Sequence, residues 1–139
     1  KGMALSSASE MIFTFEKSTN KLIFAGANLN LVHIRNNVVN EIKGDKHSIG
    51  LNIEHQKTFT NTELTLKKGD CVYMFTDGYP DQFGGPKGKK YKYKNLINFL
   101  NLNSHLNCDE QYKLILENFD SWKGNLEQLD DVLIFCMKT

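Results

Sequence analysis

The sequence has no apolar stretch long enough to span a bilayer and no signal-peptide pattern at its start. Neither sign of charge is in excess: a formal net charge of +1 gives no global reason to expect nucleic acid or a membrane surface as partner. Cysteine is sparse as well. The three thiols are odd in number and scattered, which excludes a disulfide framework and fits reduced thiols in a cytoplasmic setting. Cys71 and Cys136 sit in apolar runs and read as core residues rather than metal ligands. Internal repeats and low-complexity tracts are absent too.

What is present is enough for one folded domain. With 139 residues, 40% of them hydrophobic and 24% charged, the chain can bury a substantial core. The first part reads as short strands with turns: Met11–Phe15, Lys21–Ala25, Asn30–Arg35 and Val38–Lys43, the last two joined at Asn36-Asn37. β-Branched and aromatic residues at that spacing predict an antiparallel meander, with Gly26 at a bulge or a close backbone approach. Gln56–Leu66 alternates like a half-exposed strand, and Lys67-Lys68-Gly69-Asp70 turns the chain into a strongly apolar strand, Cys71–Phe75. Later, Tyr93, Leu96, Ile97 and Leu100 form one helical stripe. Asn107 and Glu110 have capping-box spacing for a second helix, which carries a buried face of Tyr112, Ile115, Leu116, Phe119 and Trp122 and ends at Gly124. Strands first and helices late define an α+β fold with antiparallel sheets covered by helices. His33 reads as a surface or strand-packing residue, and His47 and His55 as exposed loop residues.

The chemistry gathers at two places. Cys71–Phe75 ends abruptly at Thr76-Asp77-Gly78, a buried strand that delivers a carboxylate to a sheet edge where glycine allows a tight turn. Gln128-Leu129-Asp130-Asp131 runs directly into a second apolar strand, Val132–Met137. If the two strands are antiparallel neighbours, the end of one meets the start of the other and Asp77 approaches Asp130. Carboxylates held by rigid strands suit hard cations, and no histidine–cysteine set competes for zinc. By itself Asp77-Gly78 is equally an ordinary turn.

Phe75-Thr-Asp-Gly-Tyr-Pro-Asp-Gln-Phe-Gly-Gly-Pro-Lys-Gly-Lys-Lys90 resembles the signature of the PPM/PP2C-type serine/threonine phosphatases, in their bacterial SpoIIE/RsbU-like branch. Ala25-Gly-Ala-Asn28, Glu41-Ile-Lys-Gly-Asp-Lys46, Ile49-Gly50 and Asp130-Asp131-Val132 follow the same pattern in order, over roughly residues 10 to 139. The resemblance implies a sandwich of antiparallel sheets flanked by helices. It also implies a carboxylate cluster for two Mn²⁺ or Mg²⁺ ions and phosphomonoester hydrolysis by metal-activated water. Residue by residue, it makes Asp77 and Asp130 metal ligands. Gly78, Asp81 and Asp131 become further ligands or groups that orient them, and Lys87, Lys89 and Lys90 a basic loop for a phosphorylated partner or a solvated linker. The implied partner is a phosphorylated signalling protein of the anti-anti-sigma kind, with an upstream sensor domain in the parent chain.

The resemblance also implies an Asp-Gly metal element upstream of Lys1. Lys1-Gly2-Met3-Ala4 only echoes the family's acidic segment, and Gly44-Asp45 and Gly69-Asp70 match different elements. The expectation is therefore residues 1–139 as the C-terminal portion of a single domain, N-terminal part missing, weakly active or inactive alone and prone to self-association. The competing expectation is a catalytically dead module that binds a phosphoprotein or regulatory partner.

Overall fold

A computed structural model of the chain describes residues 9–47 and 58–139. Lys1-Gly2-Met3-Ala4, Ile49-Gly50, His55 and the beginning of the Gln56–Leu66 segment lie outside them. The chain divides into two compact units, Lys1–Leu31 with Glu41–Lys67, and Val32–Asn40 with Lys68–Thr139.

In the first unit, β1 (Glu10–Glu16), β2 (Lys21–Ala27) and β5 (Thr62–Thr65) form a three-stranded sheet with β2 in the middle. β1 and β2 are antiparallel from Glu10↔Ala27 to Glu16↔Lys21, so Phe13 stands opposite Phe24 and Phe15 opposite Leu22. These cross-strand apolar pairs set the register, because a one-residue slip would turn them to the other face. Gly26 lies inside β2 rather than between strands. A Cβ there would stand 2.3 Å from the Leu29 carbonyl, so the close backbone approach is real. Asp45 is tied to the end of β2 through Asn28 N–H to the Asp45 carbonyl and Asp45 N–H to the Gly26 carbonyl, both 2.8 Å. His47 is half-buried, its ring 4.6 Å from that of Phe59, which corrects the exposed-loop expectation.

The second sheet has the order β4-β3-β6-β9, with β3 (Leu31–Arg35), β4 (Val38–Ile42), β6 (Cys71–Phe75) and β9 (Ile134–Lys138). The first four strands are thus divided between two sheets instead of forming one meander. Local strand propensity cannot decide which neighbour a strand takes. Asn36 and Asn37, both at positive φ (51° and 62°), make the tight β3–β4 connection. α2 (Tyr93–Asn103) and α3 (Cys108–Lys123) complete this unit. Val32, Ile34, Cys71, Tyr73 and Phe75 of the sheet share a core with Leu96, Leu100 and Phe119 of the helices, and with Tyr79 and Tyr91. The expected capping box is formed: Glu110 N–H donates to Asn107 Oδ1 at 2.9 Å, and Asn107 N–H to Glu110 Oε2 at 3.1 Å. Gly124 closes α3 at φ 57°.

β6 is buried throughout, whereas β9 is an edge strand, half-buried where a buried strand was expected. The α3 stripe is likewise only partly covered: Phe119 is buried, but Tyr112 is 63% and Leu116 45% exposed. His33 is buried, which is the strand-packing alternative rather than the surface one. Its Nε2 lies 2.9 Å from Asp70 Oδ2, and the Arg35 guanidinium donates to both Asp70 oxygens at 2.8 and 2.6 Å. One buried carboxylate thereby ties β3 to the start of β6, and it holds the Arg35 guanidinium above its ordinary pKa.

Candidate metal centre

β6 and β9 are antiparallel neighbours, in register from Cys71↔Lys138 to Phe75↔Ile134. The end of β6 therefore meets the start of β9, the arrangement the sequence pattern left conditional. Thr76 extends the ladder. Its N–H donates to the Leu133 carbonyl at 3.1 Å, and its hydroxyl accepts from Leu133 N–H at 3.0 Å. The same hydroxyl donates to the Asp131 carbonyl at 2.8 Å. On the other side of Asp77, Gly78 presses on that carbonyl too: a Cβ would stand 2.4 Å from Asp131 O and 3.2 Å from Val132 Cγ2. Thr76 and Gly78 thus clasp one backbone oxygen, and Asp77 sits between them just past the end of β6, beside the segment Asp130-Asp131 that leads into β9.

Asp77 is exposed and occupies the N-cap position of α1 (Gly78–Asp81), yet its carboxylate makes no capping hydrogen bond. Its carbonyl accepts from Asp81 N–H at 2.9 Å. Asp130 and Asp131 are exposed as well; Asp130 Oδ1 accepts from Asp131 N–H at 2.7 Å, which orients the carboxyl against its own backbone. Asp81 turns to Lys90, whose Nζ is 3.2 Å from Asp81 Oδ1. Lys89 and Lys90 form β8 (Lys89–Lys90), paired with β7 (Phe83–Gly84), and Lys87 is exposed in the turn between them.

Three residues that hold the site carried no signal of their role in the sequence. Gln82, fully buried, donates from Nε2 to the Glu127 carbonyl at 2.9 Å and so anchors the segment leading to Asp130. Its own carbonyl accepts from Trp122 Nε1 at 3.0 Å and Tyr91 N–H at 2.9 Å. Trp122 in turn explains the paired glycines. Gly85 N–H donates to the Trp122 carbonyl at 2.8 Å, and a Cβ on Gly84 would overlap that carbonyl at 1.9 Å. Tyr79 follows Gly78 into the core; its hydroxyl donates to the Ile115 carbonyl at 3.2 Å and accepts from Asn118 Nδ2 at 2.7 Å. Burial raises the pKa of this phenol above its ordinary value, which keeps it a neutral donor between α1 and α3.

The donor chemistry fits a hard divalent cation: exposed carboxylates, one of them free of capping duty, at one end of a rigid ladder. Among the described residues no group of three or more His, Cys, Asp or Glu side chains is gathered closely enough to hold a metal ion. Asp77 and Asp130 do not by themselves make up such a group.

The family profile of Stage II sporulation protein E (SpoIIE) matches residues 4–139. The fold belongs to the class of PP2C-type phosphatase domains. Within that class, the chain is a member of the SpoIIE family. Among solved structures it is similar to the SiaA-PP2C domain of Pseudomonas aeruginosa, with 25% identity and a TM-score of 0.85 over 94% of this chain and 51% of that one. The phosphatase domain of the cell fate determinant SpoIIE from Bacillus subtilis (Mn presoaked) is similar at 14% identity and a TM-score of 0.64, over 94% and 56%. The serine/threonine phosphatase PstP/Ppp of Mycobacterium tuberculosis gives 13% and 0.54, over 92% and 58%. No curated protein matches the sequence. The chain thus spans about half the length of the SiaA-PP2C domain.

Proposed function

We propose that this chain is the C-terminal part of a metal-dependent protein serine/threonine phosphatase domain in bacterial signal transduction. The observation that carries the reading is the clasp of Thr76 and Gly78 on the Asp131 carbonyl, with Asp77 between them. Asp77 and Asp130 would hold Mn²⁺ or Mg²⁺, with Asp131 and the Gly78 backbone beside them. When bound, such ions supply a hydroxide at neutral pH for attack on a phosphoserine or phosphothreonine ester. The chain's own contribution is positional. Thr76 and Gly78 fix the spacing of the acidic pair, Gln82 anchors the segment before Asp130, and Lys87 and Lys89 offer exposed cationic groups to a phosphorylated partner. Lys90 shares that face but is engaged by Asp81. The partner we favour is a small phosphorylated signalling protein of the anti-anti-sigma kind, met in the cytoplasm behind an upstream sensor domain.

A second reading, a phosphatase-like module that binds a phosphoprotein without turnover, is favoured by one observation: no complete donor cluster among the described residues. Calorimetric titration with Mn²⁺, run beside a phosphopeptide hydrolysis assay, separates the two. The phosphatase reading expects weak binding that Asp77→Asn abolishes, and little turnover from this chain alone. Binding unaffected by Asp77→Asn would overturn the assignment of the ligand. Mn²⁺-independent capture of a phosphopeptide would favour the second reading.

A further inference from the structure

The three cysteines lie far apart in sequence and come from three elements, yet two of them meet at one side chain and the third lies against the second. Gln111, buried on α3, donates from Nε2 toward Cys71 Sγ at 3.8 Å and accepts from Cys136 Sγ at 3.7 Å and from the Tyr73 hydroxyl at 2.6 Å. Cys108, the first residue of α3, places its Sγ 3.9 Å from that of Cys136. The three thiols differ in surroundings. Cys108 is exposed, Cys136 half-buried, and Cys71 fully buried with its Sγ donating to the Ser104 carbonyl at 3.2 Å.

We infer that Cys108 and Cys136 are a modification site: an oxidisable dithiol that hydrogen peroxide converts into a disulfide joining the start of α3 to β9. A disulfide needs the sulfurs about 2 Å apart, so the pair must close by about 2 Å, which side-chain rotation can supply. Exposure decides which sulfur reacts first. The Cys108 thiolate attacks the peroxide, an S–O bond forms, the O–O bond breaks, and hydroxide leaves to be protonated as water. The Cys136 sulfur then attacks the Cys108 sulfenic acid. The S–S bond forms as the S–O bond breaks, and the departing hydroxide takes the Cys136 proton as a second water. Two thiols are oxidised and one peroxide is reduced to two waters. Burial, together with the neighbouring Cys108 and Cys71, pushes the Cys136 thiol up to about 12. It therefore stays protonated and does not compete for the oxidant, and it must give up its proton as it attacks the Cys108 sulfenic acid.

The cross-link would act on the seam that leads to the acidic pair. α3 and β9 line an apolar groove of about 460 Å³, to which Cys136 contributes, and β9 continues backward into Asp130-Asp131. A bond at Cys136 fixes the groove's width and stiffens that strand. This inference does not depend on phosphatase activity.

The test is oxidation of the purified chain by hydrogen peroxide, then alkylation under denaturing conditions and peptide mass mapping. The expected product is a Cys108–Cys136 linked peptide lighter by two hydrogens, with Cys71 alkylated. It should be absent from Cys108→Ser, a surface substitution that leaves the core intact. In the parent chain the thermal midpoint should rise by about 10 °C on oxidation and fall back with dithiothreitol, because the bond closes a loop of moderate length. A Cys108 carrying two or three oxygens beside a still-free Cys136 would overturn the inference. So would dimers linked through Cys108 alone, or three thiols unchanged by peroxide.

Discussion

Thr76 and Gly78 have different reasons for flanking Asp77. Thr76 acts through its hydroxyl, which both donates to Asp131 O and accepts from Leu133 N–H. Gly78 acts by lacking a side chain, because Asp131 O occupies the space a Cβ would need. A methyl group there must push the Asp130-Asp131 backbone away from Asp77. Gly78→Ala is therefore expected to destabilise the chain by about 1–3 kcal/mol, the usual range for forcing an extra methyl into packed structure. Denaturant unfolding measures this directly, and an unchanged midpoint would mean that Asp131 does not rest on Gly78. That the apolar run ends in a tight turn at Gly78 was legible in the sequence, because Thr-Asp-Gly breaks a buried strand abruptly. The role of Thr76 was not. A threonine at a strand end gives no sign of which carbonyl, 55 residues away, its hydroxyl will meet.

At the scale of elements, the helices were legible and the sheet order was not. α2 and α3 announce themselves by local rules: a 3.6-residue stripe, a capping box and a terminal glycine. Sheet partners are non-local. Nothing around His33 predicts its burial, because the carboxylate that satisfies it arrives with Asp70, 37 residues later. Lys138 is another such case. It lies at the end of β9, and its Nζ donates to the carbonyls of Ser104, His105 and Leu106 at 2.8, 2.8 and 2.7 Å. These oxygens follow the end of α2, where a cation also complements the helix dipole. Lys138→Met retains most of the aliphatic stem but removes all three bonds. It should cost about 2 kcal/mol, in line with hydrogen bonds from a charged donor. A chemical denaturation curve superimposable on that of the parent chain would show that solvent satisfies those carbonyls equally well.

For the molecule as a whole, the consequential surface is the side of the second unit where β9 ends its sheet. Among the described residues β9 is the last strand in the order β4-β3-β6-β9. Leu133 and Phe135 are 61% and 36% exposed beside it, and Tyr112 and Leu116 face the same groove from α3. An apolar edge strand whose one lysine, Lys138, is engaged by the carbonyls of Ser104, His105 and Leu106 has little charge guarding it against another chain, and an adjoining apolar groove adds a hydrophobic gain to backbone bonds. Phe135 is the most direct handle on this face, since it is an exposed residue of the edge strand that lines the groove. The chain should therefore associate reversibly, its sedimentation-average mass climbing as concentration rises. Phe135→Lys should lower that tendency by placing a charge on the edge, without emptying the core that Phe119, Leu96 and Tyr73 fill on the other side of the sheet and helices. A monomeric mass for the parent chain across the whole concentration range would refute the proposal. A parent that associates while Phe135→Lys associates equally would instead move the contact away from β9.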